Sequence, residues 1–158
     1  MPIYLQIEGI PGDATQQDHK GWTDIKSLSW NLVRDIGTKV GSATNREGSQ
    51  PSFDQVVLFK VSDSSTPKLI ADAASGRIGK PVQIHLVTSG NPGNTYLEFT
   101  LSNVLIASYG ITSDGDRPME RIALDFTKIE TKYTPYDNAN VAQGPIISSF
   151  DVSSGQVA

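Results

Sequence analysis

From Asn94 to Tyr136 the chain alternates apolar and polar residues in two long runs, and in each run the alternation slips out of phase. A period of two marks a half-buried strand. Leu97, Phe99 and Leu101 share one parity, with Glu98, Thr100 and Ser102 on the other; near Asn103 the apolar set moves to Val104 and Ile106. The second run repeats the change. Ile122, Leu124 and Phe126 lie on one parity, whereas Ile129, Thr131 and Tyr133 take over on the other. The turn-rich segment SDGDR, Ser113 to Arg117, joins the two runs. A slip in both partners requires bulges or sharp coiling, the device that bends a sheet into a barrel. The expected fold is therefore mainly β, a small antiparallel β-barrel.

The remaining segments fit that frame. Ile3, Leu5 and Ile7 alternate with Tyr4, Gln6 and Glu8 in a first strand, and Gly9 to Gly21 reads as a polar surface loop. In WTDIKSLSWNLV, Leu28, Trp30 and Leu32 point one way, and Ser27, Ser29 and Asn31 point the other. That second face carries only small polar groups, which suits a wetted surface. Trp30 belongs with the core; Trp22, at the strand start, fits a rim or a subunit contact. Phe53 to Val61 is apolar on both parities and reads as a deeply buried strand. Val82, Ile84 and Leu86 mark another strand, and Pro145 to Val152 a weak last one with Ile146 and Phe150 on one face. One short flanking α-helix is expected. Ser65 or Thr66 can cap it, Pro67 suits its first turn, Leu69, Ile70 and Ala73 form its apolar stripe, and Gly76 can close it in a left-handed conformation.

Arg34 to Ser52 (RDIGTKVGSATNREGSQPS) stands apart. A structureless loop of about 19 residues is uncommon within a compact domain. It is either a floppy surface loop or an arm that leaves its own domain to lie on a partner.

At 158 residues the chain, 1–158, is expected to form a single domain with a sizeable core. A net charge of −4 gives no electrostatic footprint for nucleic acid. No apolar run reaches the roughly 18 residues that a membrane-spanning helix needs, so membrane insertion is not expected. MPIYLQIEG reads as the first strand rather than a secretory signal peptide. With no cysteine there are no disulfides or thiolate metal sites. His19 and His85 lack metal-ligand spacing and read as solvated surface groups. Asp114-Gly115-Asp116 resembles part of a calcium loop but lacks its other ligands, so a hairpin turn explains it better. Phosphate-binding loops and nucleophile elbows are missing. Asp24, Glu98, Asp125 and Glu130 could in principle supply an acid–base pair, but nothing selects two of them. Catalytic, cofactor-binding and metal-binding residues are therefore not expected.

Several stretches, in order, resemble the haemolysin-coregulated protein (Hcp) family, which builds the tube of bacterial type VI secretion systems. They are YLQIEGIPG, HKGWTDIKSLSW, FDQVVLFKVSDSSTPKLIADAASG and RIALDFTKIETKY. The most specific pieces are H-K-G-W with the downstream S-x-S-W, and S-T-P-x-L ahead of a short helix ending in S-G. Gly12-Asp13-Ala14 departs from the Gly-Glu-Ser that many relatives carry there. The resemblance implies a β-barrel with one helix and a long projecting loop, assembled as a homohexameric ring that stacks into a tube. It implies a non-enzymatic subunit, partnered by a spike of the VgrG type, a contractile sheath and effectors carried in the lumen. Such a protein sits in the bacterial cytoplasm before firing and is exported afterwards. By position, Thr38, Lys39, Val40, Gly41, Ser42, Asn45 and Arg46 would form the subunit-interface loop, and Ser27, Ser29 and Asn31 would face the lumen. A carbohydrate-binding β-domain, with Trp22 or Tyr109 as stacking platform, is the alternative; a small hydrolase using paired carboxylates is a more distant one.

Overall fold

The computed structural model describes residues 1–38, 40–41 and 47–157, with the backbone alone for Glu47. In chain order the strands are β1 (Ile3–Ile7), β2 (Thr23–Ile25), β3 (Ser27–Ser29), β4 (Leu32–Val33), β5 (Ile36–Gly37), β6 (Glu47–Gly48), β7 (Ser52–Phe53) and β8 (Val56–Val61). Helix α1 (Thr66–Ser75) follows, then β9 (Lys80–Val87), β10 (Thr95–Thr112), β11 (Met119–Asp125), β12 (Lys128–Tyr133), β13 (Ile146–Asp151) and β14 (Gln156–Val157). The architecture is mainly β and antiparallel, with this one α-helix among the described residues.

The 18-residue β10 organises the sheet. Its first half pairs with β9 on one side and β12 on the other, and its second half pairs with β11. From these contacts the sheet runs out through β1 and β2, through β13 and β14, and through β8 and β3. Both phase slips are present. The β9 register shifts between Leu101 and Val104, around Asn103 at φ 53°, and the β11 register shifts between Ile106 and Ser108. The partner run breaks outright between β11 and β12. Asn103 can turn there because Gly79 leaves room: a Cβ on Gly79 would lie 1.8 Å from Asn103 Oδ1. The slips bend β10 so that one strand serves both halves of the sheet. The ladders do not by themselves close into the expected barrel: among the described residues no pairing joins β2 to β3, the strands at which the two half-sheets end.

Register explains the core. Ile7, Val82, Leu101, Ile129 and Phe150 lie side by side across β1, β9, β10, β12 and β13. Leu28, Leu58, Ile122 and Tyr109 form the matching row in the other half. All pack into one cluster in which Leu58, Val82, Ile84, Leu101, Ile122 and Leu124 have no exposed surface. Burying each such large aliphatic side chain stabilises by about 1.5–3 kcal/mol.

Several local expectations change. Strand β8 is not buried on both faces: Val56, Leu58 and Lys60 point inward, whereas Phe59 on the other face is 37% exposed. Leu32 is half exposed although it shares the parity of Leu28 and Trp30, because the sheet ends at Ser29 and Leu32 already belongs to a separate ribbon. Gly76 ends α1 in an extended conformation, φ −63°, and Ser65 makes no side-chain capping bond. Of the predicted stripe only Leu69 is fully buried, and Ile70 is exposed.

The Ser65 hydroxyl instead joins a buried ionic network. Lys60 and Glu120, paired across β8 and β11, have no exposed surface. Lys60 Nζ donates to Glu120 Oε2 at 2.5 Å and lies 3.0 Å from Asp63 Oδ1. Thr66 Oγ1 donates to Glu120 Oε2 at 2.9 Å, and the Tyr109 hydroxyl donates to Glu120 Oε1. Ser65 donates to Asp63 through both backbone N–H and hydroxyl. Burial, then the bond to Glu120, pushes the Tyr109 hydroxyl well above its ordinary range.

Two predictions follow from this network. Lys60→Met alone strands a buried carboxylate and should cost about 3–5 kcal/mol, whereas Lys60→Met with Glu120→Leu should recover most of that loss. Denaturant unfolding of the double-mutant cycle measures it; additive losses would show that the pair is uncoupled. Because the folded Tyr109 holds its proton more tightly than the unfolded one, its contribution is present below pH of about 10 and is lost as pH rises further. Melting temperatures between pH 9 and 11.5 should therefore fall more steeply for wild type than for Tyr109→Phe; parallel curves would refute the assignment.

Candidate assembly surface

The segment between β3 and β8 is not a structureless loop. It leaves the sheet as a ribbon of two short ladders, in which Leu32 pairs with Phe53 and Val33 with Ser52, then Ile36 with Gly48 and Gly37 with Glu47. Ser49 N–H donates to Asp35 O at 2.9 Å, and Arg34 Nε donates to Ser49 O at 3.1 Å. Aromatic side chains seat the ribbon on the body. Phe53 stacks on Phe150 at 4.7 Å, Trp30 lies between Phe53, Phe99 and Phe126, and the Trp30 indole N–H donates to Asp54 O at 3.0 Å. The expected placement of Trp30 against the core holds, and its second task is to anchor this arm.

Beyond the anchor the arm presents aliphatic side chains to solvent. Leu32, Val33 and Ile36 are each about half exposed, and Val40 is fully exposed. Of the interface candidates, Thr38, Val40 and Gly41 are exposed. Lys39, Ser42, Asn45 and Arg46 lie outside the described residues. A groove of about 510 Å³ separates the arm base from the C-terminal hairpin, with Leu32, Arg34, Pro51, Phe53, Phe150 and Val157 among its lining.

Ser27, Ser29 and Asn31 are all exposed. Register adds neighbours to them. Ser27 lies beside Phe59, Arg121 and Gly110, and Ser29 beside Val57, Ala123 and Ser108. Arg121 leans along this face and donates from Nη1 to Ser108 Oγ at 3.2 Å. The result is a four-strand face on which three serines and the Arg121 guanidinium alternate with Val57 and the partly exposed Phe59 ring.

A third exposed feature escaped the sequence. Ile146, at 68%, and Ile147, at 55%, open β13; Tyr133 pairs with Ile146, and Val157 on β14 is 75% exposed. Alternation in a short terminal strand gives no hint that both parities are open to solvent. The only available signal was two adjacent isoleucines where an edge strand normally carries charge.

The histidines are not solvated. His19 is 2% exposed, enclosed by Tyr4, Trp22 and His85, and Trp22, itself partly buried, packs on both imidazole rings. The Gly9–Gly21 loop folds back on itself to bring this about, with Gly12 N–H on Gly21 O and Ala14 N–H on Trp22 O. Of the candidate carboxylates, Glu98 is paired with His85 and Lys132, and Asp24 and Asp125 are exposed. The Asp114-Gly115-Asp116 segment is a turn, with Gly115 at φ 100°. Among the described residues no three His, Cys, Asp or Glu side chains are placed to hold a metal ion. Among the same residues, no helix is long and apolar enough to cross a membrane.

The family model described as type VI secretion system effector, Hcp, matches residues 4–133. The chain belongs to the Hcp family. It is thereby a subunit of the type VI secretion tube. Among solved structures, a type six secretion system protein superposes with a TM-score of 0.91 at 19% identity, covering 99% of both chains. Hcp1 from Salmonella typhimurium gives 0.79 at 21% identity, over 99% of this chain and 98% of its own. A type VI secretion system effector from Yersinia pestis gives 0.76 at 21% identity, over 95% and 99%. At these identities the likeness establishes the shared fold. Curated protein sequences give no match.

Isoleucines with more than half of their surface exposed can be removed with little loss of folding. Ile146→Ser with Ile147→Ser should shift stability by no more than about 0.5 kcal/mol while lowering the self-associated fraction. Thermal melting and light scattering at matched concentrations read the two effects; an unchanged mass distribution would exclude this edge from self-association.

Proposed function

We propose that six copies of this Hcp-family chain, 1–158 acting as one domain, close head to tail into the ring that stacks as the secretion tube. A ring needs two different surfaces on each copy, related by a rotation that closes. The observation that carries this reading is the arm. Its stem is rigidly held by Trp30 and Phe53, yet its own aliphatic side chains remain exposed. Beyond Phe53 the ribbon covers no core, whereas a neighbour laid against Leu32, Ile36 and Val40 would bury them. Residues 38–46, including Lys39, Ser42, Asn45 and Arg46, are proposed to make the contact, with the exposed β13–β14 edge as a further contact surface.

The Ser27, Ser29 and Asn31 face lines the lumen in this reading, and register extends the lining to Ser108 and Arg121. Small hydroxyls offer adjustable hydrogen bonds, and Phe59 is the largest apolar group exposed among them. Barrel closure also belongs to the proposal. Ile25 pairs with β1 and Ser27 with β8, while Lys26 N–H donates to Phe59 O at 2.7 Å, so the one residue between the two ladders is itself bridged. The partners are further copies, a VgrG-type spike, the contractile sheath and exported effectors. The protein is cytoplasmic before firing and extracellular afterwards, and its role is structural rather than enzymatic. The alternative carbohydrate-binding reading is the weaker one, because Trp22 packs half-buried against His85 and the Tyr109 hydroxyl is committed to Glu120.

Light scattering after size exclusion, with negative-stain imaging, tests the proposal. The intact chain should give annular particles of six-fold mass. Replacing 38–46 with a two-residue turn that closes β5 on β6 should leave the fold intact and reduce assembly to small species. Retention of the parental mass and of tubes would remove the arm from the interface; a wild-type mass of one or two chains at high concentration would sink the ring itself.

A further inference from the structure

One row of side chains crosses the outer face of the sheet: Asp24 on β2, Tyr4 on β1, His85 on β9, Glu98 on β10 and Lys132 on β12. His19, from the short turn of helix at Gln17–His19, settles onto this row. Its ring stacks on Tyr4 at 4.6 Å, meets Trp22 edge-on at 4.8 Å and meets His85 edge-on at 5.0 Å. A continuous chain of polar contacts results. His19 Nδ1 lies 2.6 Å from Gln16 Oε1, His19 Nε2 lies 2.8 Å from His85 Nδ1, and His85 Nε2 lies 3.2 Å from Glu98 Oε1. Lys132 Nζ completes it at 3.0 Å from Glu98 Oε2.

The protons in this chain can be counted. Asp18 N–H donates to Gln16 Oε1 at 2.9 Å, which fixes that atom as the amide oxygen and therefore as an acceptor. His19 Nδ1, facing it, must carry a proton. A carboxylate bonded to an ammonium is also an acceptor, so His85 Nε2 must carry one too. The contact between the rings needs one more. Three protons are then required on four ring nitrogens, whereas two neutral imidazoles supply only two.

We infer that His19 and His85 share one extra proton, a single imidazolium distributed over two rings, and that this proton latches the 9–21 loop onto the sheet. With two protons one of the three contacts has lone pairs facing each other. With four, two N–H groups collide between the rings. The latch is complete only in the singly charged state. Burial, the largest effect on both rings, holds each below the ordinary imidazole range; Asp18 and Glu98 oppose this at His19, and at His85 Glu98 opposes it while His19 and Lys132 reinforce it. Tyr4 and Asp24 complete the set of titratable neighbours. The first proton completes the three contacts and so favours the closed loop, whereas the second sets two N–H groups against each other inside a buried pair and is resisted. The pair's contribution is therefore lost as pH falls through that second step, below the ordinary imidazole range.

Imidazole ¹⁵N spectra of the intact protein between pH 4 and 9 test the inference. The pair should titrate in two steps more than about one unit apart, with three ring protons in the window between them. The Trp22 indole N–H resonance should move with the same steps. His19→Gln should turn the His85 titration into one ordinary step, and His85→Gln should do the same for His19. If a variant fails to fold, the wild-type curve alone decides. Two single-step titrations independent of one another, or two rings that stay neutral throughout, would overturn the latch.

Discussion

The buried Lys60–Glu120 pair sets the terms for everything around it. Neither side chain touches solvent, and each would be costly to bury alone, so both must keep their partners in place. Those partners come from separate parts of the chain: Asp63 before the helix, Thr66 in its first turn, and Tyr109 on the far half of β10. Satisfying the pair therefore fixes β8 against β11, the start of α1 against both, and β10 across the bend at Asn103. The apolar rows decide which faces are inside. The ionic network supplies the directional bonds that choose one arrangement of those faces.

That division of labour explains what the sequence disclosed. The two phase slips in the long strands were legible because Asn103 and Phe126 each mark a change of parity that no regular strand permits. Ser27 and Ser29 were legible as a polar face for the same reason. The network was not legible, because periodicity places a lysine at position 60 and a glutamate at 120 on apolar parities without revealing that they meet. His19 and His85 are 66 residues apart, and only the folding back of the 9–21 loop brings them together. The arm was visible as an anomaly of composition, but its ribbon pairing was not, since Ile36 opposite Gly48 leaves no alternating pattern. Hcp-family membership was legible through the order of short motifs, each weak alone. Closure of the sheet was not legible, because two bulges show that it bends and not how far.

Function then follows from what the body leaves undone. Its inner rows are complete, so the half-exposed residues Leu32, Val33, Ile36, Ile146 and Ile147 are surplus to the monomer. Scattered singly they would need no explanation, but here they fall on two projecting elements, the arm and the C-terminal hairpin. These elements flank one groove and meet through the stacked rings of Phe53 and Phe150.

Such an arrangement also bears on the danger of open edges. The hydrogen-bonded path of the sheet ends at β14 on one side and at β3 on the other, and unpaired edges invite indiscriminate strand addition. Both ends are kept very short, two and three residues, and the arm turns away from the plane immediately beyond β3. Long-range pairing is thereby discouraged while side-chain contact stays available. Short end strands beside exposed aliphatic groups favour side-chain docking over strand addition at those two ends. That is the property required of a subunit that must associate with copies of itself many times and always in the same register.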